Sequence, residues 1–170
     1  MGDGSARNIA EEKEIVAVNE EKMYIDDGSG NVVEVIVKET IFAPATRGGA
    51  TVYGLTPEYD VGETREYEIK IPNSVVGIPS VVGSTVSLAG KTAIAQAVAE
   101  VVTKKLGENF IPGLNLVSWI LMTASFLNDF AFGNSGFLVT ITLEYVEMYW
   151  HREDITTYSW RPDSLSLGVY

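Results

Sequence analysis

The sequence predicts an α+β fold: an antiparallel sheet of about five strands, with a two-helix hairpin over about 87–106 and 112–130 packed on one face. Three observations lead there. Segments that alternate apolar and polar residues occur before Pro72 and again after Gly136. The stretch between them carries helical spacing instead. Its second half, from Glu108 to Glu144, holds Asp129 as its only internal charge, so it needs a buried place. The grouping strands, helices, strands also fits a β-sandwich with a helical insertion.

Residues 1–14 are polar and charged and read as a flexible N-terminal lead-in to a single domain over 15–170. Ile15–Val18 suits either a short strand or a helical turn. Lys22–Ile25 and Asn31–Phe42 read as a hairpin around Asp26-Asp27-Gly28-Ser29-Gly30. On its second strand Val33, Val35, Val37 and Ile41 share one face. Ala43–Ala50, with Pro44 and Gly48-Gly49, is a loop; Thr51–Leu55 reads as a short strand and Pro57–Gly62 as a turn. Glu63–Pro72 alternates Tyr67, Ile69 and Ile71 with Glu66, Glu68 and Lys70, as a half-buried antiparallel strand does. Val75–Gly83 is an apolar connector.

The first helix, Ser87–Leu106, places Ile94, Ala97, Val98, Val101 and Val102 on one face. Ser84 or Ser87 suits its start, and Lys104, Lys105 and Gly107 suit its end. For the second helix, Pro112 fits the first turn, and Leu116, Val117, Trp119, Ile120, Leu121, Phe126 and Leu127 leave no broad polar face. The expectation is a core helix buried nearly all round. Phe137–Trp150 is a long strand, His151–Asp154 a turn, and Ile155–Arg161 the returning strand, stopped by Pro162. Asp163–Tyr170 carries no clear pattern.

Composition bounds function. At 46% hydrophobic and 21% charged, the chain can build a core. A net charge of −11, with 12 Lys and Arg dispersed along the chain, argues against nucleic acid and against anionic membranes. The absence of cysteine excludes disulfides, thiolate metal sites and cysteine nucleophiles. Met1–Ala10 has no apolar signal-peptide core; Met1–Ser5 reads as an added start on a mature sequence whose precursor carried an export signal. That points to an extracellular or cell-surface location in a bacterium.

Motif fragments fail on spacing. Gly90-Lys91-Thr92 resembles the end of a phosphate loop, but the required earlier glycine is Thr85. Asp27, Ser29 and Asn31 alternate as in a calcium loop, but Val32 and Lys38 stand at its glycine and glutamate positions. His151 is the only histidine, so no multi-histidine metal site forms, and a hairpin tip holds a catalytic base poorly. Glu66 and Glu68 share a strand face and read as solvated. No enzyme chemistry and no cofactor is expected.

The distinctive surface is the C-terminal hairpin. Tyr149, Trp150, Tyr158 and Trp160, with Arg161, are the candidate binding residues, because aromatic side chains offer a flat apolar face with a polar edge to protein or carbohydrate ligands. Cross-strand packing explains the same composition. Strand parity puts Tyr149 and Trp150 on opposite faces and Tyr158 with Trp160 on one. The resulting reading is a non-enzymatic, exported bacterial binding domain. The alternatives are a membrane-active protein that inserts segment 107–132, and a structural or assembly subunit.

Overall fold

The computed structural model describes residues 14–26, 30–44, 59–76, 88–107, 110–123 and 136–170. Five strands, β1 (Ile15–Asp26), β2 (Val32–Phe42), β3 (Thr64–Pro72), β4 (Gly136–Trp150) and β5 (Ile155–Val169), form one antiparallel sheet in the order β1-β2-β3-β4-β5. Two helices, α1 (Leu88–Leu106) and α2 (Leu116–Thr123), lie between β3 and β4 in the chain. The fold is therefore mixed α+β and mostly sheet. Pro72 and Gly136 are register partners, so the helical excursion leaves the sheet and returns to it at one point. Gly136 is needed there: an added Cβ would collide with the Ile71 carbonyl and lie 2.9 Å from the Pro72 Cα.

Alternation explains the faces. Val35, Val37, Tyr67, Ile69, Ile71, Phe137, Val139, Ile141 and Leu143 are buried and share one cluster with Ile94, Ala95, Val98, Val101 and Val102 of α1. The apolar stripe read from helical spacing is thus the buried stripe of α1. Gly107, with φ at 73° and its N–H donating to the Thr103 carbonyl at 2.8 Å, ends the helix in the left-handed conformation that glycine adopts freely.

Three expectations change. The second helix starts at Leu116 rather than in a turn at Pro112: Ile111, Pro112, Gly113 and Leu114 make a tight turn, with Gly113 at φ 81° and Leu114 N–H donating to the Ile111 carbonyl. Asn115 caps the helix through its Oδ1, which accepts from Ser118 N–H at 3.0 Å. Nor is α2 buried all round. Leu116 and Ile120, one turn apart, are buried, whereas Met122 is 78% exposed. Residues 124–130 lie outside the described residues. Third, Pro162 does not stop the last strand. β5 is an edge strand, where a missing N–H costs no ladder bond. A bulge opposite Thr142–Leu143 leaves Asp163 unpaired and lets pairing resume at Ser164.

Ile15–Val18 joins Lys22–Ile25 in a single strand, β1. The lead-in over 1–13, hairpin residues 27–29, loop 45–50, strand 51–55, connector 77–83 and turn 133–135 lie outside the described residues. No described helix is long and apolar enough to cross a membrane.

The opposite sheet face is polar. Glu66 and Glu68 flank Lys38, whose Nζ lies 3.8 Å from Glu68. Burial, then the neighbouring Glu68 charge, raise the Glu66 pKa above the ordinary 4.5, against the pull of Lys38. A carboxyl raised in the folded state contributes stability that is full in acid and is lost as pH rises through its folded value. Glu66→Gln is therefore expected to be more stable than the parent at neutral pH, by roughly a few tenths of a kcal/mol given its exposure. The gap should close below the ordinary carboxylate range. Urea unfolding at both pH values checks this; a gap that widens in acid contradicts the sign.

Candidate functional site

β3 pairs with β4 only as far as Glu144, opposite Thr64. Beyond that point β4 and β5 continue as a two-stranded ribbon, with Tyr145 opposite Trp160 and Trp150 opposite Ile155. The β3–β4 ladder is prolonged by one step, in which Tyr145 N–H donates to the Glu63 carbonyl and Gly62 N–H to the Tyr145 carbonyl.

The root of the ribbon is an aromatic cluster. Tyr59, Tyr145 and Trp160 lie with ring centroids 5.1–5.2 Å apart in edge-on and tilted contacts, and Tyr158 stacks on Tyr145 at 6.2 Å. The Arg65 guanidinium sits 4.8 Å from the Tyr59 ring and 5.5 Å from that of Trp160. Arg65 Nε donates to Glu63 at 2.7 Å and its Nη1 to Glu39 at 3.4 Å. Tyr67 OH donates to the same Glu39 carboxylate at 2.7 Å, and Lys105 Nζ lies 3.8 Å from it. Burial opposes the charge on Arg65, but the Glu63 hydrogen bond and charge outweigh it and hold its pKa above the usual value. Burial and then the Glu39 hydrogen bond push the Tyr67 phenol far up. These groups fasten β2, β3, α1 and the ribbon together.

The free end differs. Tyr149 is 50% exposed, meets the His151 ring edge-on at 4.7 Å and donates its hydroxyl to the Asp154 carboxylate. Asp154 takes a positive φ of 54°, which a short polar side chain tolerates in a turn. Trp150 lies half-buried on the other ribbon face, pinned by Nε1–H donation to Thr157 Oγ1 at 2.8 Å, near exposed Ile155.

Compared with known proteins, the chain matches no family model, no curated protein and no solved structure.

The five candidate residues do not make one surface. Trp160, at 0% exposure, and Tyr158 are buried in the root, so neither presents a face to a ligand. Arg161 lies on the other face, in a 2.8 Å ion pair with Glu144. Only Tyr149 and Trp150 stand at the free end. Among residues the sequence reading passed over, Glu39 and Arg65 carried a signal: each breaks the apolar parity of its strand, and two charges of opposite sign doing so on neighbouring strands mark a buried pair. Tyr59 carried none, because it reaches the cluster from a segment without periodicity. Among the described residues no group of acidic or histidine side chains is placed to hold a metal ion.

Proposed function

We propose that this chain is a non-enzymatic, exported bacterial domain that acts by binding, with its two helices layered on the apolar face of the sheet. Its contact surface is the free end of the β4–β5 ribbon, comprising Tyr149, Trp150 and Ile155. One observation carries the reading: an exposed aromatic end is held on a ribbon whose root is fastened by Arg65 and three aromatic rings. A rigid mount lowers the ordering cost of a contact, and an aromatic ring with a polar edge suits a sugar or a protein surface.

Retention of the chain on cellulose, chitin, peptidoglycan and immobilised cell-surface proteins tests it. Tyr149→Ala is expected to reduce retention on the bound material at least about tenfold. Its melting temperature should stay within about 2 °C of the parent, since an exposed side chain carries little stability. Equal retention by parent and variant would remove the ribbon end as the contact surface.

A further inference from the structure

The two edge strands of the sheet are treated differently. β5 carries features that block a further strand: Pro162, the bulge at Asp163, and Phe110 bridged beside Trp160, with Ile111 N–H donating to the Trp160 carbonyl at 3.2 Å. β1 has 12 residues and no proline, and it leaves Val18 51% and Tyr24 56% exposed. Between them lie Glu20, Glu21 and Lys22, two of one charge and one of the other.

We propose that β1 pairs antiparallel with β1 of a second copy of this chain, about a two-fold axis normal to the sheet at Glu21, joining two five-stranded sheets into one. A two-fold in that orientation keeps like faces on the same side, so residues that face each other must share parity. With Glu21 on the axis, Glu20 faces Lys22 of the second copy and Lys22 faces its Glu20. Val18 faces Tyr24 and Tyr24 faces Val18, an aromatic against a β-branched side chain. Val18 and Tyr24 are covered, while Ile15 and Val16, also exposed, lie beyond the ladder, and both charge pairs are of opposite sign. Moving the axis to Glu20 sets Glu20 against Glu20 and Val18 against Lys22, with Tyr24 against Val16; moving it to Lys22 sets Lys22 against Lys22, Val18 against Asp26 and Tyr24 against Glu20. The charge pattern therefore selects one register.

Two features of the fold accommodate it. Glu21 meets its own copy at the axis, but each Glu21 is held at 2.7 Å by Lys105 of its own α1. Lys104 Nζ donates to the Tyr24 carbonyl at 2.7 Å and Glu100 accepts from Asp26 N–H at 3.4 Å, so α1 occupies the end of the edge and limits the new ladder to Val18–Tyr24. The Tyr24 carbonyl keeps a second lone pair for the ladder. A ladder of that length makes a small interface, so association is concentration-dependent. The two ribbons lie at the outer edges of the joined sheet, making the dimer bivalent; the pairing itself is independent of the ribbon's role.

Sedimentation velocity of the full chain, over a dilution series at physiological salt, tests the pairing. The mass should rise from 18.5 kDa toward twice that value with concentration. Lys22→Glu sets glutamate against glutamate twice and should weaken association at least about tenfold. Adding Glu20→Lys to it restores opposite charges and should recover most of that loss. Because Lys38 faces Glu20 across β1–β2, circular dichroism is run on each variant. Should the double variant fail to fold, Val18→Asp, set against Tyr24, replaces it and should weaken association by a similar factor. A constant mass of 18.5 kDa at every concentration overturns the proposal. So does association unchanged by Lys22→Glu, or a folded double variant as weak as the single one.

Discussion

Trp160→Ala is expected to destabilise the folded chain by about 3–5 kcal/mol, the range for deleting a large aromatic side chain from a core. Trp160 is 0% exposed and touches Tyr59, Tyr145 and Arg65. Removing it opens a cavity at the point where the ribbon leaves the sheet, and the strands there cannot close over it without breaking the Tyr145–Trp160 register. Trp160→Phe should cost much less. The indole Nε1–H is buried without a hydrogen-bond partner among the described residues, so phenylalanine forfeits ring volume but no hydrogen bond seen there. Chemical denaturation of both variants distinguishes the cases. A loss below about 1 kcal/mol for the alanine variant would mean that the cluster does not hold the ribbon.

That outcome reverses the reading of Trp160 as a candidate binding residue. The reversal has a physical cause. Strand parity correctly grouped Tyr158 with Trp160 and separated Tyr149 from Trp150, because side chains alternate across a strand whatever surrounds it. Parity says nothing of which face is covered, or how far along the ribbon the cover reaches. Tyr59 and Arg65 supply the cover, from eighty or more residues upstream of Tyr145–Trp160 in the chain, which local spacing cannot reveal. The inner residues of β2, β3 and β4 and the stripe on α1 were legible for the converse reason: one side of each is apolar over most of its length, Glu39 and Arg65 being the exceptions on β2 and β3. Pro162 misled because a strand's tolerance for proline depends on whether its N–H faces a neighbour, and position in the sheet is not written in the strand itself. For α2, composition overstated burial: a helix with a mean apolar character can still turn Met122 to solvent.

Arg65→Met is expected to cost about 3–5 kcal/mol, the loss that follows when one partner of a buried charge cluster is removed. Methionine keeps much of the volume but takes the charge from between Glu39, which is 6% exposed, and Glu63. Glu39 then retains Tyr67 OH at 2.7 Å and Lys105 Nζ at 3.8 Å, whereas the 2.7 Å bond from Arg65 to Glu63 has no replacement among the contacts described. The stacking of the guanidinium over Tyr59 and Trp160 goes as well. Arg65→Lys should recover only part of the loss, since an ammonium lacks the planar fork that reaches Glu63 and Glu39 while lying over two rings. Replacing Glu63 by glutamine, alone and with Arg65→Met, completes a double-mutant cycle on the shorter of the two ion pairs. The coupling should be favourable, because those two groups meet at hydrogen-bond distance and are both largely buried. Strictly additive losses, or full recovery by Arg65→Lys, would show that Arg65 acts as a surface charge and that the ribbon is fastened by its aromatic rings alone.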